Sequence, residues 1–85
     1  MATKRAGRYL RAWRIGKSLD EKAREERRAE RGRVQLTQEE AAALVPTAQS
    51  TWNAWERGGS APQDVRIMMR VARLVGVDAE ELWER

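Results

Sequence analysis

The segment 36–58, LTQEEAAALVPTAQSTWNAWERG, holds a capped helix start, a proline break and a glycine stop in close succession, and it constrains the fold more than any other stretch of the chain. Thr37 is followed three residues later by Glu40, the spacing of a capping box in which hydroxyl and carboxylate each satisfy a free amide at a helix start. A helix from Gln38 is therefore predicted. Its apolar residues Ala41, Ala42, Leu44 and Val45 run up to Pro46, which lacks an amide hydrogen and disfavours helical angles in the residue before it. A turn is expected there, built without a positive φ at Pro46. Trp52 and Trp55, three apart, fall on one face of a second helix that ends at Arg57, before Gly58 and Gly59. The opposite face carries Gln49, Ser50 and Asn53.

The remaining sequence supports one small all-α domain over residues 1–85, large enough to bury roughly 60 to 65% of its unfolded surface. The chain has neither cysteine nor histidine, which removes disulfides, the commonest metal ligands and the commonest general base. Its carboxylates fall into caps and charged helix surfaces, so neither an enzyme nor a metal or cofactor is expected. No apolar run approaches a membrane span, and MATKRAGR lacks the apolar centre of a signal peptide. A cytoplasmic protein with no membrane partner is expected. Charge is divided unevenly: residues 1–35 hold twelve Lys/Arg against five Asp/Glu, and residues 36–85 hold five against eight. Any attraction to phosphate must therefore arise largely in the first third.

Along the chain, residues 1–8 read as a basic arm carrying Lys4, Arg5 and Arg8, either reaching toward a DNA groove or lying solvated as a frayed terminus. Tyr9, Leu10 and Trp13 then share one face of a first helix. Gly16 predicts a break, and Ser18 with Glu21 a second capping box that starts a helix ending at Gly32. That helix is charged on every side, with only Leu19 and Ala23 aligned and Arg27 and Glu30 on the following turns. Beyond the glycine pair, Ser60 and Pro62 open another helix, whose stripe of Val65, Met68, Met69, Ala72 and Val75 reads as core, widened by Ile67, Val71 and Leu74. Gly76 should end it. Asp78 with Glu81 forms a third capping box, starting a short helix that presents Leu82 and Trp83.

The LTQEE start and the WERG end, at this spacing, resemble the helix-turn-helix of the Cro and phage-repressor family. The resemblance implies a compact five-helix repressor-like domain whose helix-turn-helix spans residues 37–57. The interval from Trp13 to Leu36 exceeds the family's short connection, which implies an inserted charged helix between helices one and two, over residues 17–33. The alternative is one long helix from Tyr9 to Arg31 projecting into solvent. The family usually has glycine at the position of Pro46, so the turn must take a different backbone form.

Such a motif lays its second helix in the DNA major groove. The resemblance implies base contacts at Gln49, Ser50 and Ala54, with Gln49 suited to adenine and Ala54 to a thymine methyl, and Asn53, one turn beyond Gln49 on the same side, is a further candidate. The resemblance also implies a phosphate contact at Gln38, at a helix start. Thr47 and Thr51 offer neutral phosphate contacts, with Thr51 alternatively facing the protein, and Arg57 either reaches a phosphate or complements the helix dipole. Arg31 and Arg33 at the end of the insertion, with Lys4 and Arg5 in the arm, are further phosphate candidates. The segment LRAWR matches the family's leucine-x-x-leucine-arginine stretch, and implies a partly buried pair between Arg14 and Glu56. The expected function is a sequence-specific transcriptional regulator, such as a Cro-like repressor, an antitoxin-type autoregulator or a controller protein, bound as a homodimer to an inverted-repeat operator. Trp83 would then either pair with its symmetry mate or pack against helix one. The competing expectation is a protein-binding adaptor that docks a partner on the insertion, with vestigial DNA contact. The insertion itself reads as a solvated spacer, a second phosphate contact or that docking surface.

Overall fold

A computed structural model describes residues 4–83, which form a compact all-α domain of six helices with no strand among them. Helix α1 spans Lys4–Ile15 and buries Ala6, Gly7, Leu10 and Trp13 along one face. The expected arm is thereby corrected: residues 4–8 are the opening turns of α1, recruited by burial of Ala6 and Gly7, and residues 1–3 lie outside the described residues. Gly16 stops the helix at φ +87°, a left-handed angle that other residues resist, and a Cβ there would lie 2.1 Å from Val34 Cγ1. This stop excludes the single long helix.

Helix α2, Glu21–Arg31, is capped by Asp20, whose carboxylate accepts from the Ala23 amide at 2.8 Å. The expected Ser18 cap is wrong because the Ser18 amide still belongs to the end of α1, donating to the Ala12 carbonyl. No residue of α2 is buried. What holds it is arginine: Arg24 donates from Nε to the Gly16 carbonyl at 3.1 Å, and Arg27 donates from Nη1 to the carbonyls of Arg14 and Val34, each at 3.0 Å. The Arg27 guanidinium also lies 4.7 Å above the Trp13 ring. Burial, and next the charge of Arg31, pull the Arg27 guanidinium below its ordinary value.

Helix α3, Gln38–Leu44, starts with the full capping box: Glu40 N–H donates to Thr37 Oγ1 at 3.0 Å, and Thr37 N–H to Glu40 Oε1 at 2.8 Å. Leu36, Ala41, Ala42 and Val45 are buried, whereas Leu44 is exposed. Val45 keeps helical angles, contrary to expectation, because its side chain is buried and its amide donates to the Ala42 carbonyl at 3.2 Å; the Val45–Pro46 peptide is cis. The turn contains no positive φ, as the proline requires. Helix α4, Gln49–Glu56, buries Trp52 and Trp55. Trp13, Trp52, Trp55 and Trp83 form a file through the core, successive rings lying 6.0, 5.9 and 6.2 Å apart.

Helix α5, Val65–Val75, starts at Asp64, whose carboxylate accepts from the Arg66 amide at 2.8 Å; Ser60 and Pro62 belong to the preceding loop, where Pro62 is buried. Val71 and Ala72 are its buried residues. Val65 and Met69, read as core from their spacing, are 65% and 46% exposed, because the segment 76–80 borders that side of α5 as an open concavity and does not close over it. Helix α6, Ala79–Leu82, is capped by Asp78 alone; Glu81 does not complete the expected box, since it accepts from Arg5 at 3.2 Å and from Tyr9 at 3.1 Å. Trp83 is buried and donates from Nε1 to the Met68 carbonyl at 2.9 Å, a core position. Among the described residues, no helix is long and apolar enough to cross a membrane.

The α3 cap has a measurable signature. The Thr37 amide, its hydroxyl, and then Arg33 and Arg31 hold the Glu40 carboxyl below its ordinary value. A depressed folded value means that this contribution is complete above the unfolded titration and fades as pH falls through the folded one. Thr37→Ala is expected to cost about 1 kcal/mol at neutral pH. Glu40→Gln, which removes the titrating carboxylate that the Thr37 amide depresses, is expected to flatten the loss of stability on acidification relative to the wild type, measured by urea unfolding at pH 7 and pH 3. Parallel curves for the wild type and Glu40→Gln would separate the cap from that titration.

Candidate nucleic-acid interface

Glu56 closes α4 and collects donors from three helices. Arg14, in the last turn of α1, donates to it from Nε at 2.6 Å and from Nη2 at 3.1 Å. The Trp52 indole N–H also donates to it, as does Gln38 Nε2 at 3.4 Å. Arg14 has a further acceptor in the Leu36 carbonyl, at 3.0 Å. The side chains of Arg14 and Glu56 are only 12% and 5% exposed. Removed from water, the pair holds its geometry through paired charges and satisfied hydrogen bonds. The start of α3 and the end of α4 are therefore fixed to each other and to α1.

From this anchor α4 presents its other face outward. Gln49 and Ser50 are exposed, and Asn53 and Ala54 half-buried, so these four lie together along one side of the helix. Ala48 caps α4 without a side-chain hydrogen bond, so among the described residues no capping side chain satisfies the first amides of the helix. Thr47 and Thr51 are half-buried and line a recess with Pro46, Trp55, residues 60–64 and Ile67. Arg57 is exposed beyond the end of α4, beside Ser50, Asn53, Ala54 and Gly59 in a shallow concavity.

Gln38 stands half-buried at the start of α3. Its amide nitrogen turns inward, 3.0 Å from Asn53 Oδ1 as well as toward Glu56. Arg31 and Arg33 do reach the start of α3, but both are paired with Glu40, at 3.1 and 2.6 Å. Arg5 is drawn away to Glu81 on α6, and Lys4 stands exposed on the first turn of α1. Ser50, Asn53, Ala54 and Arg57 are thus brought together, with Gln49 beside Ser50 on α4, while Arg31 and Arg33 are held at Glu40 and Arg5 at Glu81. Arg27 was missed, because a cation seated on an indole leaves no periodic trace in the sequence.

The chemistry of this face is hydrogen bonding from a rigid helix: two amides, a hydroxyl, a guanidinium and a methyl, with no carboxylate among them. That set suits the planar donor and acceptor edges of bases. The chain matches no model of a known protein family, and no curated protein matches it.

Proposed function

We propose that this protein is a sequence-specific DNA-binding transcriptional regulator, a small repressor in which α3 and α4 act as a helix-turn-helix and α4 enters the major groove. The observation that carries this reading is the polar row Gln49, Ser50 and Asn53 on a helix whose opposite face is sealed by Trp52 and Trp55. Such a row, exposed at Gln49 and Ser50 and half-buried at Asn53, carries no charge, and neutral hydrogen-bonding groups suit base edges. The anchoring of α4 by Arg14 and Glu56 supports it, since direct readout depends on a fixed helix angle. On this reading a homodimer would bind an inverted repeat with half-sites about 10 base pairs apart, presenting one α4 to each of two successive groove turns.

A second reading draws on α2, which buries nothing yet is clamped by Arg24 and Arg27 and so stands as a firm charged ridge. On that reading the ridge docks another protein and DNA contact is incidental.

One experiment separates the two. The full chain is used to select bound sequences from a random DNA library at near-physiological salt. Enrichment of an inverted repeat, with affinity falling steeply as salt rises, is the expected result. Recovery of no motif would remove the DNA reading and leave the ridge.

A further inference from the structure

We infer that Asn53 and Arg57 form a donor-only subsite for the major-groove edge of guanine, one helical turn beyond an adenine-competent Gln49. The inference rests on the DNA reading above and adds the class of base at that position.

It follows from a chain of hydrogen bonds that starts at Glu56. A carboxylate can only accept, so the amide of Gln38 must turn its nitrogen toward Glu56. The same nitrogen lies 3.0 Å from the Asn53 side chain, and that position must hold the oxygen, because the reversed amide would set two donors against each other. Asn53 therefore keeps Oδ1 inward and turns Nδ2 away. Among the described residues Nδ2 has no protein acceptor, and Asn53 lines the concavity shared with Ser50, Ala54, Arg57 and Gly59. The Arg57 guanidinium likewise has no hydrogen-bond or ion-pair partner among the described residues.

The concavity thus offers two obligatory donors, a hydroxyl able to act either way, and no obligatory acceptor. Guanine presents two acceptors, O6 and N7, on its major-groove edge, whereas cytosine presents an amino donor and adenine one donor beside one acceptor. A fixed donor pair matches guanine and opposes cytosine. Gln49 differs, since among the described residues no protein group orients its amide and both ends remain available for adenine. Positions four apart on a helix are separated by about 6 Å, more than the roughly 3.4 Å rise of a base step, so the two side chains meet different base pairs.

The test is base selection by the wild-type chain and by Asn53→Asp. Aspartate can still accept from Gln38, but it offers only acceptors outward, so the selected base is expected to shift from guanine to cytosine by about tenfold in relative affinity. Because a half-buried substitution can disturb folding, the wild-type protein is also titrated with its selected site carrying 7-deazaguanine at that position, where loss of N7 should weaken binding several-fold. A selected motif whose Asn53-dependent base is cytosine or adenine overturns the inference. So does a motif unchanged by Asn53→Asp together with full affinity for the 7-deazaguanine site. In both cases the DNA reading stands. Absence of any motif overturns the two together.

Discussion

Arg14→Met is expected to destabilise the protein by about 3 kcal/mol, because the methionine leaves the Glu56 carboxylate buried without its cation. Burial decides the magnitude. An exposed ion pair contributes at most about 1 kcal/mol, and the surface pairs of α2 with its own glutamates belong to that class. The Arg14–Glu56 pair is nearly closed to water and bidentate, and the carboxylate it would abandon also receives the Trp52 indole and the Gln38 amide. Those two neutral donors cannot replace a guanidinium. For a domain of this size the loss corresponds to a fall in Tm of more than about 12 °C, read by thermal and urea unfolding. Arg14→Lys should recover only part of it, since an ammonium cannot span both carboxylate oxygens and the Leu36 carbonyl with one planar fork. Under the DNA reading, affinity should fall with stability, because Gln38 and Asn53 take their orientation from Glu56. A wild-type melting temperature in Arg14→Met would show that the pair anchors nothing.

The ease with which parts of this architecture can be read from sequence depends on how local their causes are. The α3 start was legible because Thr37 and Glu40 satisfy each other within one turn, and the α4 end because Gly58, three residues after Trp55, takes a positive φ just beyond the Arg57 cap. The α2 boundary was misplaced by two residues for a nonlocal reason: the end of α1 claims the Ser18 amide, so capping passes to Asp20. Val65 and Met69 share the spacing of a core stripe, yet periodicity identifies a face without saying whether another helix covers it. The meeting of Arg14 with Glu56, 42 residues apart, came from family resemblance; no spacing rule would have paired them. Arg27 shows the opposite failure. Counted as a break in the apolar stripe of α2, it is the side chain that fastens that helix to Trp13 and to the carbonyls beneath. Among the candidate site residues, the exposed row of α4 was legible, but the inward turn of Gln38 depends on a carboxylate that only the fold brings near.

Gly7→Ala is expected to cost about 3 kcal/mol, although alanine is the better helix former by about 1 kcal/mol. The residue lies inside α1, where its missing side chain lets α4 approach: an added Cβ would stand 2.1 Å from the Glu56 carbonyl oxygen, 2.8 Å from its carbon and 3.2 Å from the Trp55 carbonyl oxygen. All three are backbone atoms, so no rotamer change relieves the clash, and the two helices must move apart. Movement there is not confined to Gly7. Two turns further along α1, Arg14 grips the side chain of the same Glu56 whose main chain Gly7 admits, so one seam carries both contacts. The costs should therefore overlap: Gly7→Ala combined with Arg14→Met should destabilise by less than the sum of the single changes, the deficit exceeding the roughly 0.5 kcal/mol within which independent sites add. Urea unfolding of the four proteins in this cycle gives the coupling directly. Strict additivity would mean that the backbone approach and the ion pair act separately. A stabilised Gly7→Ala protein would mean that helix propensity outweighs packing and that α1 does not close on α4 at this point.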